Sequence, residues 1–470
     1  MTSPRHPFVI ALLVCAPLVI ARAEPGTPDD PVLEGLVREA LEKSPEYARA
    51  RATVAAQRER IPQAGALGDP TLSLGIQNDG FKAIQIGTME TSYWQIMVTQ
   101  PFPWPGKRGA RERAASAQAS AVEAQLERVR LSTTAEVERG YVDLLLVRGQ
   151  LELLAKLESL WKQAEAMART RYEVGEGTQS DLVRSQLERT RLQQQRIALE
   201  TVERTRVETL NRLRVHPLDE PIPTQRTLAD LATAPPATAE EAAADAAARS
   251  PELAQARLAT AAAERRVEVA RQDRYPDFSV TAGIMPRGSL DPMWLASVGV
   301  TLPVFSGRKQ SRAVAESGNL KEAEAQGEEA TRQVVELRAR QRHTLSTALA
   351  RTSAIYKDAL LVQSEAAVRS TLSQYQVGKV TFASVLDVLR GLVADEGGYL
   401  DSQAQAQRVA IASREVSVDP PSGLGGGVAS GSVPGAGGAG GGGAGAKGAA
   451  SGGGQAEQAA PSGGGMSSGM

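Results

Sequence analysis

Four short stretches of this chain alternate apolar and polar residues with period two. In Thr71-Leu72-Ser73-Leu74-Gly75-Ile76-Gln77 and Tyr93-Trp94-Gln95-Ile96-Met97-Val98-Thr99, Leu/Leu/Ile and Trp/Ile/Val mark one face and mostly polar residues the other. Phe278-Ser279-Val280-Thr281-Ala282-Gly283-Ile284 and the run from Trp294 to Leu302 repeat the pattern. Loops containing Asn78-Asp79-Gly80 and Pro286-Arg287-Gly288 separate the members of each pair, so two β-hairpins are predicted. Alternation over about ten residues fits a membrane strand with lipid on one side and a lumen on the other. It fits equally a soluble hairpin laid on a core, and the strand pattern alone leaves both open.

The segments around the strands carry a longer period. Pro31 to Gly65 and Lys107 to Arg171 lack internal proline apart from Pro45 and Pro62 and are predicted to be helical. The second would reach about 95 Å if continuous. Within it Val137, Leu144 and Leu151 recur at heptad spacing, with Val147, Leu154 and Trp161 as the companion seam. A rod of that length needs partners along it. A soluble antiparallel coiled coil would satisfy the stripe, but the strands and an export signal argue against one.

The whole order is used twice. Ser44-Pro45-Glu46 and the later Pro70 recur 206 positions on as Ser250-Pro251-Glu252 and Pro276. Val98-Thr99 with Pro101 answers Val300-Thr301 with Pro303, and Tyr172-Glu173-Val174-Gly175 answers Tyr375-Gln376-Val377-Gly378. Helix, strand, strand, long helix, turn, helix is thus one duplicated unit.

Composition narrows the setting. Arg5 and His6 precede an apolar run from Phe8 to Ile20 and a small-x-small site at Ala21-Arg22-Ala23, which reads as a secretory signal. The single cysteine, Cys15, lies inside it and follows Val14 rather than a small residue, so no lipid anchor is expected. The mature chain then has no disulfide and no thiolate metal site. With 53 basic and 54 acidic residues it shows no electrostatic footprint for nucleic acid. The landmarks divide the chain into a signal peptide (1–23), a first repeat (24–216), a proline-rich connector (217–239), a second repeat (240–416) and a Gly/Ser/Ala-rich tail (417–470) expected to be disordered.

Edges close the argument. Four strands per chain leave two unpaired edges, which hydrocarbon does not tolerate because their amides have no water to bond. Copies must complete one another: two chains reach the eight-stranded minimum, which fills itself with side chains, and three give twelve strands and room for a conduit. At this point the chain resembles the TolC-like outer-membrane efflux proteins over about Pro31 to Val416. The segment from Gln100 to Arg108, with Pro101, Pro103, Pro105, Gly106 and Lys107, is similar to the strand-to-helix junction of the heavy-metal CzcC/CusC-type branch. The resemblance implies a homotrimer in the outer membrane: a shared 12-stranded transmembrane β-barrel continuing into a long antiparallel α-helical tunnel in the periplasm.

No catalytic constellation, cofactor motif or nucleotide-binding loop is found, so no enzyme is expected. His216 and His343 stand far apart, and Met89, Met97, Met285 and Met293 around the hairpins are better explained by packing than by a metal. The two turns Tyr172-x-x-Gly175-x-x-Thr178-x-x-Asp181 and Tyr375-x-x-Gly378-x-x-Thr381-x-x-Ser384 each offer Gly for a left-handed helix end and Thr or Ser for the next cap. By itself that is an efficient antiparallel turn. The resemblance implies more, making Tyr172, Gly175, Thr178, Asp181, Tyr375, Gly378 and Thr381 the tips that meet a periplasmic adaptor. Of the two acidic gate positions of the family, the first is Ser384 here, a departure, and the second is Asp387. Three Asp387 carboxylates would ring the constriction and favour cations. Energy would come from an inner-membrane pump of the RND or ABC type. A type I protein-secretion conduit and a non-pore periplasmic coiled-coil protein are the alternative readings.

Overall fold

A computed structural model describes residues 30–231, 238–302 and 307–419. The segment expected to be an export signal, with Cys15, Pro235 and Pro236 of the connector, Pro303 and the expected tail beyond Asp419 lie outside them. The packed chain runs three residues into the segment assigned to the tail, because Arg342 and Arg338 of α7, described below, donate to the carbonyls of Ser417 and Val418.

The repeated Ser-Pro-Glu landmark is a helix start. Helix α1 (Pro31–Lys43) is capped by Asp30, and α2 (Pro45–Gly65) by Ser44, whose hydroxyl accepts from Tyr47 N at 3.2 Å. In the second repeat α5 (Ala239–Arg249) and α6 (Pro251–Gln272) meet in the same way, Ser250 accepting from Leu253 N. The cap satisfies an orphan amide, proline supplies a preset φ where no amide is needed, and glutamate faces the positive end of the helix.

Between α2 and α3 lie β1 (Thr71–Gln77) and β2 (Tyr93–Phe102), and after α6 come β3 (Asp277–Arg287) and β4 (Leu290–Thr301). They form one antiparallel sheet in the order β1-β2-β3-β4. Both hairpins are as predicted, but the second is longer. Pro286 and Arg287, read above as loop, belong to β3, and the turn shrinks to Gly288 (φ +64°) and Ser289. Pro286 has no amide to give, so the register slips there between Met285 and Arg287 instead of ending.

Helix α3 (Lys107–Glu173) is unbroken over 67 residues and packs against α2, α6, α4 (Gln179–Leu213) and α9 (Phe382–Glu415). Val137, Leu144, Val147, Leu154 and Trp161 of the predicted seam are buried, while Leu151 is only partly so. The seam drifts onto Leu153 and Leu157 because an α-helix does not repeat in sevens. The second repeat's long helix is instead interrupted: α7 (Gly307–Ile355), a π-helical turn (Tyr356–Leu360), then α8 (Leu361–Gln376). Besides a small core between α5 and α7 around Ala246 and Val335, two larger helical cores result among the described residues. One joins α1, α3, α4, α9 and the connector through Tyr141, Leu144, Leu210, Leu231 and Ile411; the other joins α3, α8 and α9 through Leu157, Trp161, Tyr375, Phe382 and Leu389. Among the described residues no helix is long and apolar enough to cross a membrane.

Candidate functional site: an apolar sheet face and two helical tips

The pairing register stacks the apolar positions of all four strands on one face. Leu74 lies opposite Ile96, Ile96 opposite Ile284, and Ile284 opposite Trp294. One step along, Leu72 meets Val98, Val98 meets Ala282 and Ala282 meets Ala296; Val280 then meets Val298. Among the described residues no helix covers this face: Leu74 is 73% exposed, Val298 70% and Trp294 78%. Such a continuous apolar surface is unstable in water and suited to hydrocarbon. The opposite face carries Ser73, Gln95, Thr99, Ser279, Thr281 and Ser297, with the Thr99 and Thr281 hydroxyls 3.0 Å apart. Among the described residues β1 and β4 each pair on one side only, which leaves both outer edges open.

Where the strands pass into helices, the first repeat is locked by the second. The Lys107 ammonium, almost fully buried, donates to the Tyr275 carbonyl and to Asp277 Oδ1, both at 2.8 Å. Trp104 N donates to the same oxygen at 2.9 Å, and its ring stacks on Tyr275 and Phe278 with centroids 5.6 and 5.3 Å away. Gly106 at φ +101° turns the chain into α3.

At the far end of α3 are the tips. Gly175 (φ +78°) and Gly378 (φ +75°) take the left-handed conformation, and Thr178 and Thr381 cap α4 and α9 through Asp181 N and Ser384 N. The local geometry is the one expected from the repeated motif. Sequence reasoning missed what binds the tips together: Arg171 Nη1 donates to the Tyr375 carbonyl at 2.7 Å, and its guanidinium sits 5.0 Å from the centre of the Tyr375 ring. Tyr375 is buried against Phe382, and burial together with the nearby Asp181 charge pushes its hydroxyl above the ordinary tyrosine value. Asp181 and Tyr375, one from each tip, are thus brought close. Tyr172 stays exposed, and Ser384 is half-buried beside its cap.

Asp387 is exposed on α9, in a cleft of about 340 Å³ that it shares with Arg390 of α9 and with Arg184, Glu188 and Arg191 of α4. Glu188 accepts from Arg191 at 2.7 Å and from Arg390 at 2.5 Å, bridging the two helices. The spacings of Arg184, Glu188 and Arg191, and of Asp387 and Arg390, put these charges on shared helical faces. That spacing was the available signal for them. Among the described residues no cluster of His, Cys, Asp and Glu could hold a metal ion.

The family model for outer membrane efflux proteins matches residues 36–215 and 242–413, one segment on each side of the connector. Among solved structures the chain superposes on CusC with a TM-score of 0.70 at 17% identity, covering 82% of this chain and 92% of that one. For VceC of Vibrio cholerae the TM-score is 0.67 at 18% identity, covering 82% and 95%. For the open state of the MtrE outer membrane channel of Neisseria gonorrhoeae it is 0.68 at 17% identity, covering 82% and 89%. At these identities the likeness establishes the fold. No curated protein sequence matches the chain.

Proposed function

The chain belongs to the outer membrane efflux protein family, and from that premise we propose that it is the outer-membrane channel of a tripartite efflux system, passively conducting substrate from periplasm to exterior. The observation that carries the proposal is the sheet: one largely apolar, uncovered face, one mostly polar face and two open edges. Three copies joined edge to edge give twelve strands, turn the apolar face to lipid, enclose a polar lumen and leave no unpaired edge. Below the membrane the α3–α4 and α8–α9 hairpins of three copies would line a periplasmic tunnel. Residues 1–23 would direct export.

Tyr172, Gly175, Thr178, Asp181, Tyr375, Gly378 and Thr381 form the adaptor-docking tips in this reading, and Asp387 with Ser384 the periplasmic gate. An inner-membrane pump supplies the energy. The adaptor opens the gate by binding the open form better than the closed one, a shift of population rather than work done by this chain. Fractionation with detergent extraction tests the reading. A heat-sensitive trimer in the outer membrane that conducts ions in planar bilayers supports it, and a soluble periplasmic monomer refutes it.

A further inference from the structure

We propose that the polar wall of the sheet carries a thioether site for soft monovalent cations, Cu(I) or Ag(I), built in each chain from Met97, Met285 and Met293. The site rests on the channel reading, which makes that wall the lining of a lumen, and adds to it a class of cargo the lining would engage. In the sequence the four methionines around the hairpins look alike. The pairing register separates them.

Met89 falls in the β1–β2 loop and is 43% exposed. The other three stand on the polar face: Met97 opposite Ser73 and Gly283, and Met285 directly opposite Met293. Residues opposed in this way hold their Cβ atoms about 5 Å apart, so the Met285 and Met293 thioethers can close on one ion. Gly283 lets Met97 approach β3. A Cβ at residue 283 would lie 2.7 Å from Met97 Cγ, so that part of the methionine occupies space only glycine leaves. The Met97 sulfur is in turn contacted by the side-chain amide of Gln95, one rung further along β2. That rung is the level of Met285, because Ile96 and Ile284, which precede it on each strand, are partners. The three sulfurs thus share one level of the wall on three adjacent strands.

The donor set decides the ion. Thioether sulfur is soft and polarisable, so it selects Cu(I) and the equally soft Ag(I) and gives a hard ion nothing in return for its water. It also carries no charge and no proton, and binding releases none. The neighbours on this face, Ser73, Gly75, Gln95 and Ser297, are uncharged. Arg287, beyond the bulge, spends its guanidinium on the carbonyls of Asp291 and Glu90. Packing alone does not call for sulfur here: Leu295, opposite Gly283, fills the adjoining place without it. A neutral site of this kind holds a cation weakly enough to let it go, as a conduit requires. Three chains would set nine thioethers around one level of the lumen.

The test is titration of the full-length protein in detergent with silver nitrate in chloride-free buffer, read by calorimetry and by X-ray absorption at the silver edge. Expected are one Ag(I) per chain, two or three sulfur neighbours around it, and an affinity that stays level between about pH 5 and 8. Met285→Leu and Met293→Leu should each weaken binding about tenfold or more, Met97→Leu less, and Met89→Leu not at all. Leucine keeps the volume of each side chain, so these variants fold. A silver shell without sulfur would overturn the site, as would wild-type affinity in the triple leucine variant. So would an affinity that falls with pH, which the carboxylates of Glu90 and Asp291 or an imidazole would give. Conductance of the same preparation in planar bilayers separates the two readings. A conducting protein that binds no silver overturns the site alone, whereas silver held by these sulfurs in a protein that never conducts upholds the site and overturns the channel.

Discussion

Arg171, at the end of the first repeat's long helix, donates to the Tyr375 carbonyl at the equivalent point of the second at 2.7 Å and lays its guanidinium over the Tyr375 ring. The copies of a duplicated unit are thus fastened to each other at their matching turns. The fastening is one-sided: Arg171 has glutamine, Gln374, in its place in the second copy.

Removing this tie should loosen the tips. Arg171→Ala loses one charge-assisted hydrogen bond and one cation–π contact, together about 2 kcal/mol at a half-buried site. Open probability in planar bilayers should rise at least tenfold. Arg171→Lys should recover little of it, since an ammonium cannot reach the carbonyl and stack on the ring together. Wild-type gating in the alanine variant would show that the tie is structural ornament only.

The two sheet faces predict opposite outcomes for the same kind of substitution. Leu74→Lys or Val298→Lys sets a charge on the face assigned to lipid and should cost about 2–4 kcal/mol if the position is near the bilayer midplane. Ser297→Lys, on the other face, should leave trimer yield unaltered and change ion selectivity instead. Heat-modifiable trimer on gels, followed by reversal potentials in a salt gradient, separates the two. Equal loss of trimer from both faces would contradict the assignment of lumen and lipid.

Much of this was legible in the sequence because it is written in short-range periodicity. The hairpins follow from period two, the helix starts from Ser-Pro-Glu, and the tips from Gly and Thr at fixed offsets. What was not legible depends on residues brought together from the two repeats. Nothing near Lys107 announces that Asp277 will receive its ammonium, and Arg171 lies 204 positions from Tyr375. The extent of the second hairpin was misread for a different reason. Proline and glycine together usually mark a loop, but here Pro286 sits at a bulge within β3 and only Gly288 turns the chain.

The junction beneath the sheet gives a test of cross-repeat locking. Asp277→Asn leaves the Lys107 ammonium buried with only carbonyl and amide oxygens, and should lower the temperature at which the trimer dissociates by weakening the site about 1–3 kcal/mol. Lys107→Met alone should cost a similar amount, and the double variant less than the sum. Strict additivity would mean that the contact contributes no coupling.

The connector should be acid-sensitive. Glu220 accepts from His216 at 2.9 Å and from Arg214 at 2.8 Å, and these contacts hold its carboxyl below the usual glutamate value, the His216 bond being the larger cause. A depressed carboxylate contributes its stabilisation fully above the unfolded-chain value and loses it as pH falls through the folded one. Proteolysis within 215–231 should therefore accelerate as pH drops from about 5 to 3. Glu220→Gln should already be accelerated at pH 7 and show a shallower acid response. Parallel curves for the two proteins would remove Glu220 from the account.

At the gate, the outcome turns on which charge the cleft presents. Asp387 shares it with Arg184, Arg191 and Arg390, of which Arg191 and Arg390 are engaged by Glu188. If three Asp387 side chains converge on the axis, their mutual repulsion and their attraction for cations act across a narrow, poorly hydrated ring, where screening by salt is weak. Asp387→Ala should then raise single-channel conductance or abolish block by multivalent cations. Arg390→Gln should act through the other helix, freeing α9 from Glu188 and raising open probability without altering cation block. Conductance and block both unchanged in Asp387→Ala would place the constriction elsewhere and leave Asp387 as a solvated partner of the arginines around it.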